Sequence, residues 1–261
     1  EGRGATTMWQ ENGPKQSFEW QKGSLFAIPL NACYQHFNGQ GDRDARFISV
    51  TSAPLVFNLF HCEDFILNNP YVFSDRFKGE DGYFGGKGRL YNDRVLETNF
   101  VADAISIEPI AWHERGKGNR TIFFELAEST MGAHVSQFPV GIYKKAHRHG
   151  PGAHVMILTG QGYSFMWPEG AERMRFGWGP GSLVVPPEGW FHQHFNSGDQ
   201  PARYLALKML SRRHKLVPGK IKSDVSVKQG GMQIEYEDED PEIRRLFEEE
   251  CARSGAEVKM S

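Results

Sequence analysis

The sequence predicts an all-β protein built on small barrels, and three observations predict it. Short runs rich in aromatic and β-branched residues are separated by glycine-bearing turns, with 29 glycines in 261 residues, the texture of an antiparallel barrel. Histidines recur at alternate positions, His147 with His149 and His192 with His194, and in a strand residues i and i+2 share a face. One stretch of the chain also repeats another, so two copies of one supersecondary unit are expected.

Taken in order, residues 1–60 are expected to form strands at 5–9, 17–20, 25–29, 33–38, 45–51 and 55–60. Residues 61–120 differ in texture. Short helical turns are expected at 63–67 and 71–77, then a glycine-rich loop from 79 to 88 with Tyr83 and Phe84. That loop lacks the G-K-[ST] ending of a phosphate loop, and the stretch is expected to connect two barrels. Residues 121–211 should form the second barrel, with strands at 121–126, 132–139, 141–149, 154–158, 163–167, 174–178, 183–186, 191–196 and 202–209. In the tail, 212–261, residues 241–253 carry apolar side chains at 243, 246, 247 and 251. Asp240-Pro241 precedes them and Gly255 follows, the start and stop signals of an amphipathic helix. The helix is expected on the outside of a barrel or on a partner subunit, and the acidic run 235–242 as its solvated lead-in.

The chemistry concentrates between residues 141 and 196. Gly141 is followed by His147, Arg148 and His149, with His154 beyond the Gly150-Pro151-Gly152 turn. Gly181 is followed by Pro187, Gly189, His192 and Asn196. Two hairpins facing each other across a small barrel can converge His147, His149, His154 and His192 on one point, while Arg148 points to the opposite face. Neutral imidazoles suit Fe, Cu, Ni and Zn. They add no ligand charge, so a bound ion keeps its full positive charge and favours an anionic substrate or an oxygen-derived anion. Four ligands would leave two positions of an octahedral ion open. His194 is better read as a buried, hydrogen-bonded histidine near the site.

These motifs resemble those of the cupin superfamily, G-x5-H-x-H-x3,4-E-x6-G and G-x5-P-x-G-x2-H-x3-N. The second is matched at every position. In the first, His154 stands where the family has Glu, and the closing glycine is displaced to Gly160 or Gly162. The resemblance implies a double-stranded β-helix, the cupin or jelly-roll barrel.

Residues 1–38 align without gaps to residues 159–196, with about 15 positions identical, among them Gly4/Gly162, Trp9/Trp167, Trp20/Trp178, His36/His194 and Asn38/Asn196. The chain therefore looks like a bicupin. Tyr34 occupies the place of His192 and Asn31 that of Gly189. The first copy's HxH strand would lie upstream of Glu1, so no metal is expected in the N-terminal barrel.

Composition narrows the partners. Net charge is −2, so no bulk basic field attracts nucleic acid. Lys144, Lys145, Arg148 and the run from Arg212 to Lys215 are read as solvated faces. No apolar run reaches the ~18 residues of a membrane span. Cys33, Cys62 and Cys251 have no metal or disulfide spacing, which fits a reducing cytoplasm. A homodimer or higher homo-oligomer is expected.

Alternation along the strands suggests that Tyr143, Met156, Tyr163 and Trp167, with Trp190 and His194, line an apolar, aromatic cavity for a small-molecule substrate. The motifs carry no general-base carboxylate, so the metal would carry the chemistry. The leading expectation from the resemblance is a non-haem Fe(II) dioxygenase cleaving a C–C bond of an aromatic or carbonyl acid with O2. The alternatives are an O2-independent decarboxylase, lyase or isomerase, which would tolerate Mn, Ni, Zn or Cu, and a ligand-binding cupin without catalysis.

Overall fold

The computed structural model describes residues 1–150, 152–209, 211 and 222–260. The run from Arg212 to Lys215 and the turn residue Pro151 lie outside the described residues. The fold is mostly antiparallel strands with few helices, as expected. Two compact units are present. One comprises Glu1–Ile107, Phe123–Ala133 and the described residues of Met209–Leu216. The other comprises Glu108–Ile122, His134–Lys208 and the described residues of Val217–Ser261.

In the first unit the order is β1 (Arg3–Trp9), β2 (Gln16–Gln21), β3 (Leu25–Phe26), β4 (Cys33–Asn38), α1 (Ala53–Phe60), α2 (Glu63–Leu67), β5 (Gly88–Asn92), β6 (Val95–Thr98) and β7 (Phe100–Val101). β2 and β4 flank β1, β3 pairs with β7, and β6 pairs with β5 and runs parallel to residues 123–125. Met8, Phe77 and Phe84 form the core, with Phe18, Phe26 and Phe100 packed on it. Two expectations fail here. Residues 55–60 are helical, because Pro54 sits in the first turn of α1, where its fixed φ favours a helix start. A short apolar run cannot by itself separate helix from strand. Residues 45–51 form no strand. Conversely, the stretch read as connection supplies β5, β6 and β7.

The second unit contains β8 (Ile110–Ala111), β9 (Arg120–Glu125, of which 120–122 belong here), β10 (Gly132–Phe138, of which 134–138 belong here), β11 (Ile142–Tyr143), β12 (His154–Thr159), β13 (Gly162–Trp167), β14 (Met174–Trp178), β15 (Leu183–Val184), β16 (Phe191–Asn196), β17 (Ala202–Lys208) and α3 (Pro241–Ser254). One sheet has the order β11-β16-β13-β14, and another carries β15-β12-β17-β10. Inward residues of both build one core: Phe138, Ala153, Val155, Ile157, Met166, Trp178, Tyr204 and Ala206. The opposite face of the first sheet is covered by α3, through Ile243, Phe247 and Cys251. The helix begins and ends as expected. The Asp240 side chain accepts from the Glu242 amide at 2.9 Å, and Gly255 closes it in the left-handed conformation.

The sequence repeat is a structural repeat. Gly4 pairs with Trp20 and Asn38, and Thr6 with Phe18 and His36. In the second unit Gly162 pairs with Trp178 and Asn196, and Ser164 with Phe176 and His194. A polar trio is duplicated with them. Trp20 Nε1 donates to Thr6 Oγ1, which bonds His36 Nδ1, both at 2.8 Å. Trp178 Nε1 donates to Ser164 Oγ at 2.9 Å, and that oxygen bonds His194 Nδ1 at 2.7 Å. The paired glycines are needed for close approach: a Cβ at Gly4 would stand 2.2 Å from the Phe37 carbonyl, and one at Gly162 1.9 Å from that of Phe195.

Candidate metal centre

Three of the four expected ligands come together. One ring nitrogen each from His147, His149 and His192 lies within 4.8 Å of the other two. Two segments hold them. His147 forms an antiparallel bridge with His192, its amide donating to the His192 carbonyl at 3.1 Å and its carbonyl accepting from the His192 amide at 2.9 Å. On its other side the same segment borders residues 232–234, through the Arg148 amide to Met232 O at 2.9 Å and the Ile234 amide to Ala146 O at 2.8 Å. The turn after His149 is tied down by the Gly189 amide donating to the His149 carbonyl at 3.2 Å.

Ring orientation is set by the backbone. His147 Nδ1 lies 3.3 Å from Lys145 O, and His192 Nδ1 lies 3.2 Å from Trp190 O. A carbonyl only accepts, so each Nδ1 carries the proton and each Nε2 presents a lone pair. Burial keeps the rings neutral. Desolvation, with Arg115 next for His147, holds that imidazole well below its ordinary value, and the same burial holds His192 at about 4. Neutral, oriented, clustered imidazoles are the donor set a divalent transition metal requires.

His154 is not in the cluster, and strand alternation gives the reason. Val155 and Ile157 point into the barrel core, opposite Ala206 and Tyr204. His154 and Met156 therefore point to the other face, opposite Leu207 and Leu205. Met156 consequently does not face the three histidines, and His154 Nδ1 is buried without a hydrogen-bond partner. The residue of this turn that does face the core is Ala153, which is 4 % exposed. The cupin pattern allows three residues as well as four before its Glu. With three, Ala153 takes the Glu position and Gly160 falls at the closing glycine with no displacement.

The same alternation corrects the aromatic wall. Across β13 and β16, His192 faces Met166 and His194 faces Ser164, so these four share the inner face. Tyr163, Phe165 and Trp167 pair with Phe195, Gln193 and Phe191 on the outer face. Tyr163 and Trp167 lie under α3 with Tyr143, whose ring meets Phe247 at 5.0 Å. The Tyr143 hydroxyl donates to Glu239, which also accepts from Gln193 at 3.0 Å. The acidic lead-in is thus partly built into the fold rather than solvated. Trp190 packs against the inner core. His194, 3 % exposed, is on the inner face and bonded to Ser164, its ring 5.7 Å from that of His192.

Three nearby residues were not legible as site residues. Arg115 is buried, donates to Ser223 O at 2.6 Å and to Gln233 Oε1 at 3.3 Å, and its charge reaches His147, His192 and His194. Gln233 bridges backbone to backbone with His147 and donates to Glu114 O at 3.0 Å. Lys144, read as a solvated residue, is buried instead. Of its neighbours, Lys145 pairs with Glu235, and Arg148 pairs with Glu169 and lies over the Phe191 ring.

No protein-family model matches the chain, and no curated protein matches it. Solved structures do. The chain is similar to an arginine-to-alanine variant of Bacillus subtilis oxalate decarboxylase at 14 % identity, covering 83 % of this chain and 63 % of that one, with a TM-score of 0.51. A glutamate-to-alanine variant of the same enzyme gives 14 %, 82 %, 62 % and 0.50. An oxalate decarboxylase structure describing substrate binding and a reaction-specificity switch gives 13 %, 83 %, 63 % and 0.50. The chain thus spans less than two thirds of the length of these proteins. The likeness establishes the fold, a cupin β-barrel with a short C-terminal helix.

Proposed function

We propose that the protein is a metal-dependent cupin enzyme acting on a small carboxylate without O2, a decarboxylase or lyase. The observation that carries this is the cluster of His147, His149 and His192, of which His147 and His192 are buried, neutral and oriented by backbone carbonyls. Those three residues would hold one divalent ion, which would act as a Lewis acid on a bound carboxylate. His154 would act from outside this set, through the segment that carries it.

The chain's own groups shape the rest of the site. The field of Arg115, Lys144 and Lys208 at His192 is positive, so an anion is attracted and held. Trp190 fixes His192 through its carbonyl and supplies apolar cover. Ser164 anchors His194 on the same face. The fold likeness to oxalate decarboxylases supports the O2-independent reading over the dioxygenase first suggested by the sequence. The all-nitrogen ligand set, which suits iron, supports an Fe(II) dioxygenase as the second reading. In the N-terminal unit, Tyr34 at the place of His192 supports reading that unit as a metal-free, degenerate copy of the barrel.

Elemental mass spectrometry on protein purified without chelator should find one divalent transition metal per chain, lost in His147→Ala and His192→Ala. A hundredfold excess of metal over its Kd should stabilise the protein by roughly 2.7 kcal/mol. Anaerobic screening of small carboxylic acids should then show turnover with release of CO2 or of an eliminated group. Turnover only with O2 consumption would establish the second reading, and metal-free, inactive protein after reconstitution would overturn both.

A further inference from the structure

The mechanism above uses Lys144 only through its field, yet its surroundings are those of a binding group. Its side chain lies inside the barrel, 4 % exposed, and Nζ donates to Ser136 Oγ at 2.5 Å and to Tyr204 Oη at 2.8 Å. Both hydroxyls are themselves buried. The amine also lies over the Tyr204 ring at 4.6 Å and the Phe138 ring at 5.1 Å. Among the described residues no carboxylate forms an ion pair with it, and burial, with the charge of Arg115 next, holds the amine well below the ordinary lysine range. An ammonium has three donors, and two hydroxyls use two of them. A buried cation without an anion is costly, so the charged form is disfavoured here, and a carboxylate bound beside the amine would stabilise it.

Position ties Lys144 to the metal centre. Its amide donates to the His194 carbonyl at 3.0 Å. The His194 ring lies 5.5 Å from the Tyr204 ring and 5.7 Å from that of His192. The groups facing the amine are therefore Tyr204 from β17, Ser136 from β10, His194 from β16 and the guanidinium of Arg115. One ring, His194, intervenes between His192 and the Tyr204–Lys144 pair.

We propose that Lys144, with Tyr204 and Ser136, forms a second anion-binding pole that receives the distal carboxylate of an extended diacid whose other carboxylate sits at the three histidines. The two carboxylates of oxalate are joined by a single C–C bond and cannot span an intervening ring. The ligand class is accordingly a longer diacid, with its carboxylates several bonds apart. This inference rests on the metal-enzyme reading of the histidine cluster.

The test is equilibrium binding of the metal-loaded protein to oxalate, malonate, succinate and glutarate, with acetate and butyrate as monoanions. Wild type should prefer the longer diacids over the monoanions and oxalate. Lys144→Met should lose roughly 10- to 100-fold in affinity for the longer diacids, a far larger loss than for the monoanions, and retain its metal. Tyr204→Phe should lose part of the diacid preference, and serves if Lys144→Met fails to fold. A Lys144→Met protein that binds diacids as wild type does would show a structural lysine and overturn the proposal. So would metal-loaded wild type with no preference by length or charge. Metal content on the same samples separates the readings: wild type that takes up no metal overturns the metal enzyme, whereas loaded wild type without diacid preference overturns the Lys144 pole alone.

Discussion

Acidification of the metal-free protein should unfold it through the histidines of the centre before its carboxylates are fully protonated. His192 is fully buried, and desolvation holds it at about 4 against an ordinary 6.5. The folded state therefore binds the proton more weakly than the unfolded chain. Stability from this group is complete above about pH 6.5, falls as pH drops from there to about 4, and is constant below. The shift corresponds to roughly 3 kcal/mol for His192 alone. His147 and His194 are displaced in the same direction, also mainly by burial, so the combined slope is steeper. The assay is urea unfolding followed by tryptophan fluorescence, in chelator, at intervals from pH 7.5 to 4, on wild type and His192→Gln. Carboxylates titrate alike in both proteins and cancel in the difference. The stability advantage of wild type over the variant should therefore shrink by roughly 3 kcal/mol across the range. A difference that stays flat would mean that His192 is solvated or already charged in the folded state, and the buried neutral cluster would be wrong.

Four further outcomes follow from the packing. Phe247→Ala removes a fully buried ring that meets Tyr143 and Phe195; thermal or urea unfolding should show a loss of roughly 3–5 kcal/mol, with metal content retained because α3 lies on the outer face. Ser164→Ala strands the Trp178 and His194 groups and should cost about 1–3 kcal/mol by the same measurement, and Thr6→Val should weaken the N-terminal unit in parallel. Ala153→Glu places a carboxylate on the core-facing side of the turn after His149. Metal titration should show a shift in preference towards Mn, which favours carboxylate ligands, and an unchanged metal preference would show that position 153 does not reach the ion.

The fold was legible because its signals are local. Strand runs, glycine turns and the capped helix after Asp240 each follow from nearest-neighbour chemistry, and most lie where the sequence places them. The exceptions are informative. Residues 55–60 were misread because a short, wholly apolar run has no periodicity to decide on, and Pro54 was the signal available. His154 is read at the Glu position on residue type alone, whereas strand alternation puts it on the other face, since a one-residue slip moves a side chain across the sheet. The same error placed Tyr143, Tyr163 and Trp167 at the metal, although His192 and Phe191 on one strand already require two faces. Arg115 and Gln233 carried no local signal, since they reach the centre only through tertiary pairing of residues distant in sequence.

Comparison of the two units separates scaffold from function within one motif. Gly4/Gly162, Trp20/Trp178, His36/His194 and Asn38/Asn196 are identical, and Thr6/Ser164 is chemically equivalent. All five positions set strand register or close the Trp–hydroxyl–His trio. The same residue types make the same pairings in both units, which accounts for His194 by its bond to Ser164, as His36 is bonded to Thr6. The position that departs is Tyr34 against His192. Its burial departs with it: Tyr34 is 52 % exposed and His192 4 %. An imidazole that is neutral because it is buried needs its surroundings as well as its spacing, so the two positions differ in the very property that makes His192 a candidate ligand, and not in residue type alone.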